Sequence, residues 1–256
     1  MPSRFAAEVL PDGRRRYPRE AVLARRRLLG GVVLGGAAAI AGSRLLGRDE
    51  AVASPGQQAL AESGYSLTDP TSPWVVVNKR HPLDPIDHAP RELVTVGDRP
   101  VAAAVVPDLQ ELLAAAEADG VSLVLTSGYR SFADQQTVHA GSRSRNGDEL
   151  AEQVSARPGF SEHQTGFAVD FGSRQAPECA ALDCFADTPE ARWLGERAGG
   201  FGFLLRYPPG LTAVTGYAAE SWHHRWVGRD LTARLARAGV ATLEEFFGVP
   251  GGPTYA

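Results

Sequence analysis

Two separated stretches of this chain carry side chains that can hold a metal ion and put it to use. Ser161-Glu162-His163-Gln164-Thr165-Gly166-Phe167-Ala168-Val169-Asp170 supplies an imidazole and a carboxylate, and about fifty residues later Glu220-Ser221-Trp222-His223-His224-Arg225 supplies two imidazoles and another carboxylate. Two imidazoles and one carboxylate can hold zinc and leave its fourth position to water, whereas hard cations favour cages of oxygen. The remaining carboxylate, Glu220, can then take a proton from that water. His163 alone would be an ordinary hydrogen-bonded loop histidine, and Asp170 alone a surface or capping carboxylate. Together with Glu220 and His223, at strand ends beside glycine-rich loops, they read as a metal-dependent hydrolase.

These groups need elements to hold them. Phe167, Val169 and Phe171 alternate with Ala168 and Asp170, which predicts a strand whose apolar face points away from Asp170. Glu220 to Val227 predicts another strand. On ideal alternation Glu220, Trp222 and His224 share a face, which by spacing alone favours His224 over His223 as a ligand. Val121 to Thr126 is a β-rich run leading into Ser127-Gly128-Tyr129-Arg130. There Arg130 sits on a loop between strand and helix. Helices are predicted from Phe132 and from Asp148, the second limited by Pro158.

Further along, Pro107-Asp108 opens a helix with Leu109, Leu112, Leu113 and Ala116 at helical spacing, closed by Gly120. Thr188-Pro189-Glu190 starts another, stopped by Gly199-Gly200. Phe201 to Leu205 reads as a strand, Asp230 to Ala238 and Leu243 to Phe247 as helices, and Val75-Val76-Val77 as a short buried strand. The order is irregular, which predicts an α+β fold: a single compact domain over residues 72–250, with a small antiparallel sheet flanked by helices. Residues 54–71 read as a linker or N-terminal arm, and 251–256 as a tail.

A chain of 256 residues, 43% of them hydrophobic, is long enough to bury a proper core. Its net charge of −4 conceals a basic head, since residues 1–50 hold ten Arg against five acids and leave the rest near −9. So acidic a body, with no basic stripe, excludes nucleic acid as the expected partner. The head reads as an export segment over residues 1–53. Arg25-Arg26-Arg27 precedes a short apolar run, Leu28 to Gly42, too short for the ~20 residues of a membrane span. Ala51-Val52-Ala53 offers small residues for cleavage, and Arg25-Arg26-Arg27-Leu28-Leu29 resembles a twin-arginine signal. The alternative is an uncleaved anchor, which would be the only membrane contact; either places a monomeric body outside the cytosol. Cys179 and Cys184, the only two cysteines, are expected to pair there.

Several motifs in order then resemble one family. Ser161-Glu162-His163-Gln164-Thr165-Gly166, Ala168-Val169-Asp170 and Glu220-Ser221-Trp222-His223 are similar to the zinc-site motifs of VanY-like D-alanyl-D-alanine carboxypeptidases. Ser127-Gly128-Tyr129-Arg130-Ser131 with Gln135, Val77-Asn78-Lys79 with Pro82-Leu83, and Leu243-Glu244-Glu245 resemble others, so the likeness spans roughly residues 74–247. The resemblance implies a hedgehog-type D-Ala-D-Ala peptidase fold and Zn2+ held by His163, Asp170 and His223. It also implies Glu220 as general base, Arg130 steadying the tetrahedral intermediate, and Ser161 and Gln135 near the substrate. Tyr129 and Trp222 are expected as walls of the substrate pocket or as core, with no chemical step assigned to either. The expected substrate is a peptidoglycan stem peptide ending in D-Ala-D-Ala, cut at that bond. A dipeptidase or stem-peptide endopeptidase of the same metal class, and a non-catalytic zinc-stabilised wall-binding module, are the alternatives. The intact Glu220 argues against the last. His81, His88 and His139 lie among prolines or on a polar helix and are not nominated, and Ser161 lacks a nucleophile-elbow pattern.

Overall fold

The computed structural model describes residues 54–256, together with two short antiparallel strands, Glu8–Val9 and Arg15–Arg16. The expected export segment, with Arg25-Arg26-Arg27 and Ala51-Val52-Ala53, therefore lies outside the described residues apart from those two strands. All the chemistry-bearing residues belong to the unit Ala51–Ala256.

Within it the first element is helix α1 (Pro55–Ser63), in the stretch expected to be a linker. Its start follows local rules: Ser54 accepts from the Gln57 backbone, Gln57 answers in kind, Pro55 opens the first turn and Gly64 closes the last. The helix is also docked rather than free. A Cβ on Gly56 would lie 2.1 Å from the Phe246 carbonyl oxygen, so only glycine permits that approach. A hairpin follows, β1 (Leu93–Val96) and β2 (Arg99–Ala102), turning at Gly97-Asp98.

Helix α2 (Val106–Ala118) buries Leu109, Leu112 and Ala116, the stripe its spacing predicts. The main sheet comprises β3 (Leu123–Ser127), β4 (Ala168–Ser173), β5 (Phe203–Tyr207) and β6 (Glu220–Trp226), in the order β3-β4-β6-β5 with every neighbour antiparallel. Helices α3 (Phe132–Asn146) and α4 (Asp148–Val154) connect β3 towards β4, and α5 (Pro189–Arg197) precedes β5. Helices α6 (Arg229–Ala238) and α7 (Leu243–Phe247) follow the last strand. The α+β expectation holds, a small antiparallel sheet with helices packed about it.

The core is divided. One cluster joins α2 to the sheet through Leu109, Leu112, Val169, Phe171 and Phe203; a second joins Ala59, Trp74, Leu231, Leu235, Leu243 and Phe247. Val75-Val76-Val77 runs between them and is not a strand, which corrects the expectation. Val75 and Val77 point into the first cluster and Val76 into the second, while the Val76 N–H bonds to the Leu67 carbonyl instead of a ladder. Two-sided burial satisfies the apolar run without a sheet partner. Cys179 and Cys184 are joined in a disulfide, their Cα atoms 5.3 Å apart, in the loop between β4 and α5. Among the described residues no helix is long and apolar enough to cross a membrane.

Candidate active site

The centre of the sheet assembles the chemistry. Asp170 on β4 pairs directly with His223 on β6, and on its other side with Ser127 at the end of β3. His163 lies on a single turn of 3-10 helix, Glu162–Thr165, ended by Gly166 at φ 72°. That glycine is required twice over, by its left-handed backbone and because a Cβ there would sit 2.9 Å from the Ala102 nitrogen. The turn carries His163 back over the strands. His163 Nε2 lies 3.2 Å from Asp170 Oδ2, and His223 Nδ1 lies 3.0 Å from Asp170 Oδ1. One ligand atom from each of the three buried residues falls within 4.8 Å of the others.

This donor set suits zinc: two imidazoles and a carboxylate are the three protein ligands typical of a catalytic zinc site. The far nitrogens are occupied as well. His163 Nδ1 is 2.7 Å from the Gly128 carbonyl, and His223 Nε2 is 3.3 Å from Glu162 Oε2. Such outer partners orient histidine ligands in metal sites.

The structure sets His223, not His224, against Asp170 and His163, beside a break in the ladder. Leu205 pairs with His224 but Tyr207 pairs with Glu220, so two steps along β5 span four along β6. Strict alternation fails across that irregularity, and the spacing argument for His224 fails with it. His224 is buried with its ring edge-on to Phe171 at 5.4 Å, and burial lowers its imidazole to about 4. It is a core residue.

Electrostatics sharpen the division of labour. Burial would raise the Asp170 carboxyl, but the two imidazoles outweigh it and hold it well below the ordinary range. Burial would lower His223, but Asp170 and Glu162 outweigh it and push the imidazole up to about 9. Glu220, half-buried at the start of β6, behaves differently. Burial pushes its carboxyl up to about 7; Asp170 adds to the rise, and His223 and Arg130 oppose it. A carboxyl tuned to that range is suited to accepting and returning a proton.

Of the other nominated residues, Arg130 reaches this group. Arg130 donates from Nη1 to Gln135 Oε1 at 2.8 Å and from Nη2 to Ser127 Oγ at 3.1 Å, and its Nη2 stands 4.0 Å from Asp170 Oδ2. Gln135 is buried and ties on through Nε2 to the Ala156 carbonyl. Ser161 is buried directly before the 3-10 turn, and Tyr129 is half-buried with its N–H on the Pro100 carbonyl. Trp222 is half-buried at the margin of the first apolar cluster. Tyr207, which was not nominated, stacks on His223 with ring centroids 4.9 Å apart.

A buried ionic cluster behind His223 was also missed. Glu162 Oε1 accepts from Arg206 Nε at 2.8 Å and Arg225 Nη1 at 3.0 Å. Arg206 also donates to Glu244 from Nη1 and Nη2 at 3.0 and 2.7 Å, and Asn78 Nδ2 donates to Glu244 at 2.8 Å. The available signal was the presence of Arg206 inside the apolar run Phe203–Tyr207 and of Arg225 directly before Trp226 and Val227. A charge in such a place calls for a buried partner.

Comparison with known proteins gives this geometry its relatives. The family model for VanY, D-alanyl-D-alanine carboxypeptidase, matches residues 98–229. A D-alanyl-D-alanine carboxypeptidase of Enterococcus faecalis is 32% identical over 75% of this chain and 72% of its own length. The solved LdcB LD-carboxypeptidase has a TM-score of 0.64 at 31% identity, covering 71% of this chain and 89% of that one. A vancomycin-resistance D,D-pentapeptidase VanY from a VanB-type cassette, solved in complex with Zn(II), has a TM-score of 0.58 at 32% identity, covering 67% and 97%. Sequence and fold agree over the segment that carries the His163, Asp170 and His223 cluster, and the chain belongs to the VanY family of D-alanyl-D-alanine carboxypeptidases.

Proposed function

We propose that this protein is an exported zinc D,D-carboxypeptidase that removes the terminal D-alanine from peptidoglycan stem peptides. The observation that carries the reading is the convergence of three buried donor atoms within 4.8 Å, from His163, Asp170 and His223. Zinc held by those residues supplies a Lewis acid that polarises the scissile carbonyl and acidifies water. Glu220 takes the proton from the attacking water and returns it to the leaving amine, a role worth about 10²–10⁴ in rate. Arg130, fixed by Gln135 and Ser127, offers its positive charge to the oxygen on which negative charge develops. Ser161 and Gln135 line the substrate side, and Tyr129 and Trp222 wall it. The relatives' names, and the peptidoglycan recognition for which LdcB is described, support a cell-wall substrate and an extracytoplasmic place of work.

The likeness to LdcB favours one second reading, in which the penultimate residue is of L configuration and the enzyme is an L,D-carboxypeptidase. A single experiment separates these. The zinc-loaded full chain is incubated with acyl-L-Lys-D-Ala-D-Ala, acyl-L-Lys-D-Ala and free D-Ala-D-Ala, and released D-alanine is measured. Turnover of the first alone is the expected result. Turnover of the second alone selects the L,D reading, preference for the free dipeptide makes the protein a dipeptidase, and no turnover of any overturns the carboxypeptidase assignment.

A further inference from the structure

Glu162 belongs neither to the donor set nor to the scheme above, yet it is fully buried against His223. Its two oxygens have separate duties. Oε1 is taken by the guanidinium groups of Arg206 and Arg225, which leaves Oε2 facing His223 Nε2 at 3.3 Å. A carboxylate oxygen only accepts, so Nε2 carries the proton shared with Glu162, and Nδ1, on the other side of the ring, is the nitrogen left to coordinate a metal. Nδ1 is the atom that meets Asp170 and His163 at the centre.

His163 is fixed the other way round. The Gly128 carbonyl takes the Nδ1 proton, and Nε2 faces the centre. Two opposite ring orientations therefore need two different anchors, one neutral and one charged. The charged anchor is itself held rigidly: Arg206 by Glu244 on α7, and Arg225 by the carbonyls of Pro73 and Val75, each at 3.0 Å. Among the described residues, His223 is the only hydrogen-bond partner of Glu162 Oε2.

We propose that Glu162 is the positioning residue for His223, holding the imidazole so that Nδ1 faces the zinc; this rests on the zinc reading given above. Histidine-orienting partners of this kind change metal affinity by about 10–100-fold when removed. Glu244 offers the matched control, because it belongs to the same buried cluster but does not touch His223.

Zinc affinity is measured by competition with a chromophoric chelator for the full chain, Glu162→Gln and Glu244→Gln. The expected result is a loss of about 10–100-fold in Glu162→Gln alone, with both variants less heat-stable than the parent. Unchanged affinity in Glu162→Gln, or an equal loss in both variants, overturns the proposal. Failure of the parent chain to bind zinc would instead remove the zinc reading. Should Glu162→Gln not fold, long-range proton–nitrogen correlations of the zinc-loaded parent decide the matter. A proton on His223 Nε2 is expected, and a proton on Nδ1 overturns the assignment.

Discussion

Asp170 and His223 stand directly opposite one another on neighbouring antiparallel strands, with His223 Nδ1 3.0 Å from Asp170 Oδ1. The sheet register itself thus brings together two residues that are fifty-three positions apart. Asp170 reaches His163 with its other oxygen, so one carboxylate links both imidazoles. Asp170→Asn keeps the size of the side chain but removes its charge. It is expected to abolish stoichiometric zinc binding in equilibrium dialysis while the far-ultraviolet circular dichroism is retained.

The two adjacent histidines should separate cleanly. His223→Ala is expected to lose zinc. His224→Leu fills a similar buried space beside Phe171 and should retain it, with a change confined to thermal stability. Metal content by atomic absorption tests both, and loss of zinc from the His224 variant would restore the alternation argument.

The buried ionic cluster sets the response to acid. Burial would raise the Glu162 carboxyl, but Arg206 and Arg225 outweigh it and hold it far below the ordinary range. A depressed folded value means the stabilisation is complete above the unfolded value of about 4.3 and is lost as pH falls through the folded one. Arg206→Met leaves Glu162 and Glu244 short of a cation in a dry site. It is expected to cost roughly 3–5 kcal/mol near neutral pH and to flatten the pH dependence of stability below about pH 4. Urea titrations across that range check both effects.

The disulfide predicts a smaller effect. Cys179 and Cys184 close a short ring in a loop outside the donor cluster. Replacing both by Ser should cost roughly 2 kcal/mol on the chain-entropy argument and leave zinc affinity and turnover unaltered. A large loss of turnover would tie that loop to the site.

Much of this was legible in the residues. Leu109, Leu112 and Ala116 announced α2, Thr188-Pro189 announced α5, and the run from Phe167 to Phe171 announced β4 with Asp170 off its apolar face. Residue type and family resemblance pointed to His163, Asp170 and His223, which the fold brings within reach of one another. Other features depend on contacts no local pattern records. Helix α1 has a capping box and Pro55 in its sequence, but its polar composition resembles a linker until Gly56 meets Phe246. The β1–β2 hairpin had a usable signal in Gly97-Asp98 between Leu93–Val96 and Arg99–Ala102, and it was missed. The offset that defeats alternation between Glu220 and His223 arises only from pairing with β5. Glu162 was hidden for a different reason: it lies between two nominated residues, and its importance comes from Arg206 and Arg225, far along the chain.

The most direct test of the central claim compares D-alanine release from acyl-L-Lys-D-Ala-D-Ala by the zinc-loaded chain and by Glu220→Gln at matched zinc content. A fall in kcat of about 10²–10⁴ with zinc still bound is predicted. Equal turnover by the two proteins would contradict the account, because the proton would then be moving without Glu220.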